Sequence, residues 1–232
     1  MSIFAVGDLH LSNASGIDKP MDVFGSEWKD HAARLAAAWN KEISASDTVI
    51  IAGDISWGMK LEEAMPDLQM IHELPGRKVL IKGNHDLWWT GITKLNSLYD
   101  DMFFLQNSCY EAEGRCICGT RGWVCPGSED YSDADKKIYE RELMRLEASL
   151  KAAASRGCGE ITGVMHFPPT NDKMHSSGFT DLFSEYGVRN VVYGHLHGKD
   201  IWKRGLTGNF GGVSYRLISL DRLDCRPLKL FD

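Results

Sequence analysis

Aspartate, asparagine and histidine recur along this chain in short groups whose side chains share one chemistry. The groups are Gly7-Asp8-Leu9-His10, Gly53-Asp54, Gly83-Asn84-His85-Asp86, His166 and Gly194-His195-Leu196-His197. Carboxylate, amide oxygen and imidazole are ligands for borderline divalent metals such as Mn, Fe, Co, Zn or Ni. Nine such donors exceed the needs of one four-coordinate ion, whereas two ions sharing a bridging carboxylate would use seven of them. Five of the eight histidines (His10, His85, His166, His195 and His197) fall in these groups, which sets the pattern apart from scattered core or surface histidines.

Each group follows directly on a short apolar run rich in β-branched or aromatic residues: 3–6, 48–52, 78–81, 161–165 and 190–193. Apolarity that is continuous rather than alternating predicts strands buried on both faces. The carboxyl ends of such strands form the edge where ligands bind in open α/β sheets. Glycine precedes four of the five groups, permitting a sharp turn and close backbone approach there.

Helical stripes lie between the runs. Trp28, Ala32, Leu35, Trp39 and Ile43 form one apolar face, and Leu61, Met65, Leu68 and Ile71 a second, which Pro66 is expected to kink or restart. Tyr139, Leu143, Leu146 and Leu150 form a third, within a charged outer helix over 134–156 that Ser132 and Asp135 cap and Gly157 ends. Strand-like segments surround an Ala-Glu-Gly-Arg turn in 102–119, and 213–220 with 226–231 read as a further strand pair. Strands alternating with helices indicate a layered α/β domain.

Composition agrees with a folded enzyme-sized unit. The 232 residues read as a single domain, 1–232, with 43% hydrophobic and 25% charged residues. No apolar run reaches the ~20 residues of a membrane span. The net charge of −6 and the lack of a basic cluster argue against a nucleic-acid surface. The first residues carry no export signal, so a cytoplasmic chain with six reduced cysteines is expected. Cys116-x-Cys118 places two sulfurs on one strand face, but no second Cys/His pair follows at zinc-ribbon spacing. Buried apolar thiols are the expectation there.

The ordered set Asp8-x-His10, Gly53-Asp54, Gly83-Asn84-His85-Asp86, His166 and Gly194-His195-x-His197 resembles the calcineurin-like metallophosphoesterases. With Gly-Thr-Arg-Gly-Trp at 119–123, the layout is similar to small bacterial members of unassigned substrate. The resemblance implies a four-layer α/β/β/α sandwich, two mixed β-sheets flanked by helices. It implies two divalent ions, with manganese the first expectation and Fe, Zn, Co or Ni the others. Asp8, His10 and His197 would hold one ion, and Asn84, His166 and His195 the second, with Asp54 bridging. His85 would face the substrate as the catalytic acid, oriented by Asp86. The implied reaction is hydrolysis of a small phosphomonoester or phosphodiester, a nucleotide among them, by a metal-bridging hydroxide. A nuclease, a protein phosphatase or a non-catalytic scaffold of the same fold are the alternatives. Arg121, able to grip a phosphate bidentately, and His175, in the loop after the fourth group, are substrate-binding candidates. The family often carries Asp or Arg three residues after the second-motif Asp, where this chain has Trp57. Trp57, Trp88, Trp89 and Trp123 lie near the motifs, with core packing the preferred reading.

Overall fold

The computed structural model describes all 232 residues. Its elements run β1 (Ile3–Val6), α1 (His31–Glu42), β2 (Thr48–Ile51), α2 (Leu61–Glu73), β3 (Arg77–Leu80), α3 (Ile92–Leu95), β4 (Met102–Phe104), β5 (Cys109–Ala112) and β6 (Arg115–Thr120). There follow α4 (Asp133–Arg156), β7 (Glu160–Met165), α5 (Gly178–Glu185), β8 (Asn190–Tyr193), α6 (Lys199–Trp202), β9 (Gly208–Phe210), β10 (Val213–Leu217) and β11 (Leu228–Phe231). No helix is long and apolar enough to cross a membrane.

Two mixed sheets pack face to face. The first has the order β11-β1-β2-β3-β4 and the second β5-β6-β7-β8-β10-β9. The central strands of both are parallel; β11 is the one antiparallel strand of the first sheet, at its edge, and β5 and β9 are antiparallel at the two edges of the second. Side-chain alternation sorts the apolar runs into layers. Ile3, Ala5, Ile50, Ala52, Val164 and Val192 fill the space between the sheets. Phe4, Val6, Val49 and Ile51 point outward against Leu35 and Trp39 of α1 and Leu68 of α2. Met165, Val191 and Tyr193 point the other way, into a cluster with Leu146 and Leu150 of α4 and Phe179 of α5. The four layers expected from the sequence are present.

Three local readings need correction. Helix α2 continues through Pro66 rather than restarting there. The carbonyl deprived of its partner belongs to Glu62, which is exposed and open to water. The two C-terminal strands are not a pair: β10 lies parallel to β8 in the second sheet, while β11 is antiparallel to β1 in the first. Parallel β8–β10 pairing leaves β11 free to cover the exposed edge of β1. Finally, Cys116 and Cys158 form a disulfide, so only four cysteines are free, all of them buried. The Cα atoms of Cys116 and Cys158 lie 5.8 Å apart, where the chain passes from α4 into β7 beside β6. Helix α4, by contrast, begins with the Ser132 N–H donating to Asp135 Oδ2 (2.9 Å) and ends at Gly157 with φ 68°, as its terminal residues predict.

Candidate metal centre

The two sheets are spliced where the ligands converge. The Gly7 N–H donates to Ile218 O (2.8 Å) and Leu220 N–H donates to Gly7 O (3.0 Å), tying the end of β1 to the end of β10. The Asp8 N–H donates to Gly53 O and that of His10 to Asp54 O, both at 2.9 Å, which locks the loops after β1 and β2 together. Gly194 N–H donates to His166 O (3.1 Å), linking the loops after β7 and β8. Four residues here adopt left-handed backbone: Asp8 (φ 60°), His10 (φ 46°), Asp54 (φ 50°) and His195 (φ 72°). Such conformations cost about 1–3 kcal/mol each in a non-glycine residue and persist where surrounding structure imposes them. Gly53 has φ 84°, and a Cβ there would sit 2.7 Å from the Gly83 backbone and 2.9 Å from His166 Nδ1. Close approach of two backbones therefore accounts for this glycine.

Donor atoms gather in two clusters: Asp8, His10 and His197, and Asp54, His166 and His195. In the first, His10 Nε2 and His197 Nε2 face each other at 3.3 Å, with Asp8 Oδ1 3.5 Å from His197 Nε2. In the second, His195 Nδ1 lies 3.2 Å from His166 Nε2, and Asn84 Oδ1 lies 2.7 Å from the same nitrogen. Asp54 Oδ2 stands between them, 3.3 Å from His166 Nε2 and 3.8 Å from His10 Nε2. Two nitrogens each ~2.1 Å from one ion and 90–109° apart would be separated by roughly 3.0–3.4 Å. Both nitrogen pairs have that spacing, so the residues fit one divalent ion per cluster with Asp54 shared. The hard and borderline donors present do not single out manganese.

Electrostatics without the ions point the same way. Burial holds His10 at about 4 and His195 at about 3, so both are neutral at pH 7. Burial also opposes charge on His166 and His197, but the Asp54 and Asp8 carboxylates outweigh it at His166, raising it to about 9. Asp8 and Asp221 do so at His197, raising it to about 10. Burial likewise pushes Asp8 and Asp54 upward, yet the neighbouring histidines hold both below the ordinary carboxylate range. Two imidazolium protons thus supply half of the positive charge that two divalent cations would bring.

The other sequence-derived candidates are placed differently. His85 is exposed at the same edge; its N–H donates to Asp54 Oδ1 (2.8 Å) and its ring leans on Trp57, centroids 4.5 Å apart. Asp86 does not hydrogen-bond that ring, which corrects the orienting role expected of it. Its buried carboxylate accepts from Gly83 N–H (2.7 Å), Ile55 N–H (2.8 Å), Ser56 N–H (3.3 Å) and Trp88 Nε1–H (3.0 Å). Asp86 therefore pins the Asn84–His85 loop to the segment after Asp54. Burial, reinforced by Asp54, raises its carboxyl to about 6. Arg121 pairs with buried Glu142 (3.4 Å) and lies over the Trp123 ring (4.5 Å), while its carbonyl accepts from His166 and Phe167 N–H. His175 is exposed, anchored by its N–H to Asn171 Oδ1 (3.0 Å), and no hydrogen bond joins its ring to the ligands.

Asp221 was missed. Its Oδ1 lies 3.3 Å from His197 Nδ1 and its Oδ2 accepts from Gly198 N–H (2.8 Å), so it orients the His197 ring from behind. The signal was available: Asp221 ends the apolar segment that begins with β10, as the other acidic and imidazole groups end theirs.

Comparison with known proteins agrees with this arrangement. The profile of the family described as calcineurin-like phosphoesterase matches residues 1–199. Two mycobacteriophage relatives, each called Gene 66 protein, are 40% identical over 81 residues (phage L5) and 35% identical over 85 residues (phage D29). The matches span 34% and 37% of this chain and only 37% and 40% of those relatives. Among solved structures, TT1561 of Thermus thermophilus has TM-score 0.58 at 11% identity, covering 99% of this chain and 97% of its own. The phosphopantetheinyl hydrolase PptH of Mycobacterium tuberculosis has TM-score 0.54 at 16% identity, covering 99% and 95%. AQ665 of Aquifex aeolicus, a protein of unknown function, has TM-score 0.53 at 15% identity, covering 98% and 95%. With its motifs, its two-sheet fold and a family match over residues 1–199, this chain belongs to the calcineurin-like phosphoesterase family.

Proposed function

We propose that the protein is a two-metal phosphoesterase that hydrolyses a phosphomonoester or phosphodiester bond of a small soluble substrate. The observation carrying this reading is the pair of donor clusters with Asp54 Oδ2 between them. Paired divalent ions, when bound, acidify water and stabilise charge on phosphoryl oxygens during in-line displacement.

The chain's own residues suit an anionic substrate. The residues that would hold the ions are Asp8, Asp54 and neutral Asn or His donors, so two divalent cations would leave net positive charge at the edge. A carboxylate-rich set would cancel that charge and repel phosphate. Asp8 accepts from His195 N–H (2.9 Å), and Asp54 accepts from His85 N–H, so both carboxylates are held before any ligand arrives. His85 stands outside both clusters with its ring 5.7 Å from that of His10. From there it can donate a proton to the departing alkoxide as a general acid. Trp57, stacked on His10 (4.9 Å) and leaning on His85, holds that ring at the cavity wall in place of Asp86.

The test strips the protein of metal and assays it on monoester and diester chromogenic substrates. Mn²⁺, Fe²⁺, Zn²⁺ and Co²⁺ are then restored separately. Turnover that returns with metal, and is lost with metal binding in Asp54→Asn, supports the reading. Hydrolysis that is indifferent to metal refutes it. Stoichiometric metal binding without turnover on any ester leaves the non-catalytic scaffold.

A further inference from the structure

The cavity opening on the first cluster has Met21, Phe24, Trp28 and Trp57 on its wall, beside the polar Glu27, Lys199 and Asp221. It measures about 470 Å³ and has His10, His197 and His85 at its inner end. Trp57 and Trp28 frame that end. Trp57 stacks on His10 at an interplanar angle of 25°, and Trp28 meets His10 and His197 edge-on at 5.7 and 5.2 Å. Met21 and Phe24 continue the wall outward. The cavity's lysine, Lys199, is already paired with Glu27 (2.8 Å). Asp221, also at the wall, is occupied with Gly198 and His197. Among the residues lining the cavity no lysine or arginine is left unpaired, while Lys19 Nζ, 5.8 Å over the Trp57 ring, belongs to the adjoining groove.

Phe24 at the mouth is 71% exposed and its neighbour Val23 74%, although the segment belongs to the pocket wall. A large aromatic left open beside a cavity gains hydrophobic stabilisation only when something apolar enters. Cavity size is informative as well. An apolar cavity of roughly 150 Å³ takes one benzene ring, so about three times that volume takes a fused-ring or aryl-alkyl group.

We infer that this cavity receives the alcohol portion of the substrate and selects a flat, uncharged aromatic or apolar group over a small polar or further charged one. The inference rests on the phosphoesterase reading for which side of the ester enters the cavity. Phosphoryl oxygens belong at the ligand end. The ring of the alcohol lies among Met21, Trp28 and Trp57, and Phe24 covers it from outside.

The experiment uses metal-loaded protein and three non-hydrolysable probes: methylphosphonate, 3-phosphonopropionate and 1-naphthylmethylphosphonate. Binding is followed by calorimetry and by tryptophan fluorescence. The naphthyl compound is expected to bind at least about tenfold tighter than either of the others, the range that hydrophobic pockets deliver for added apolar groups. Phe24→Ala lowers that preference at least about threefold, the scale of one aromatic contact. Its side chain is mostly exposed in the free protein, so the fold tolerates the change. Met144→Ala, removing a 63% exposed side chain on α4, leaves the preference intact. Equal affinities, a preference untouched by Phe24→Ala, or no phosphonate binding at all would overturn the inference. The two readings fail separately. A naphthyl preference in a protein that turns over no ester retires the hydrolase and keeps the pocket. Metal-dependent turnover without any naphthyl preference does the reverse.

Discussion

Replacing Gly53 by alanine tests whether close backbone approach is what assembles the second cluster. The new Cβ would lie 2.7 Å from Gly83 N and Cα and 2.9 Å from His166 Nδ1, against the 3.4 Å at which ordinary contact begins. The Gly83 backbone must therefore retreat by about 0.7 Å and the His166 ring by about 0.5 Å. Gly83 carries Asn84, and His166 Nδ1 is fixed to Ala52 O at 2.9 Å, so both movements displace ligands of the second ion. Metal sites tolerate deviations of about 0.2 Å, so binding there should weaken by about 10- to 100-fold. Asp8, His10 and His197 do not meet the new methyl group, so the first ion stays. The fold also pays: alanine at φ 84° costs about 1–2 kcal/mol and the crowding about 1–3 more. The assay is metal content per chain after dialysis, with thermal melting of the stripped protein as the folding control. We expect a fall from two ions to one in a protein that still melts cooperatively. Gly159→Ala, whose Cβ meets nothing within 4 Å, should keep both ions. A folded Gly53→Ala protein binding two ions with unchanged affinity would refute the reasoning.

Other expectations follow from the same geometry. Asp221→Asn should weaken the first ion about 10- to 100-fold while sparing the second, read by competition with a chelator; equal loss at both sites would contradict a role confined to His197. His85→Ala should retain both ions and lose turnover by about 10²- to 10⁴-fold, so wild-type rates in that variant would end its assignment as the acid. Metal loading at pH 7 should release at least two protons, because His166 at about 9 and His197 at about 10 are charged in the stripped protein and must be neutral to ligate. Apparent metal affinity therefore rises with pH through neutrality and falls as acid restores those protons. Calorimetry in buffers of different ionisation enthalpy counts them, and a count of zero would show that the carboxylates do not hold those charges.

Local chemistry made the ligand types and most element ends readable from sequence alone. Runs 3–6 and 190–193 coincide with β1 and β8, because buried parallel strands advertise themselves by continuous apolarity and are stopped by glycine or a polar donor. The ends of α4 were legible because a cap and a left-handed glycine act within a few residues. What tertiary structure alone decided was every relation between segments far apart in the chain. Whether β10 pairs with β11 or with β8, which sulfur meets Cys116, and whether Asp86 faces His85 or the backbone of Ile55 all depend on how strands and loops distant in the chain come together. Periodicity says which way a side chain points from its own strand, but not which neighbour it meets. The aromatic cavity is the same case: Trp28, Trp57 and Phe24 carry no local mark of a binding wall, and they become one only when two loops close over the ends of the sheets.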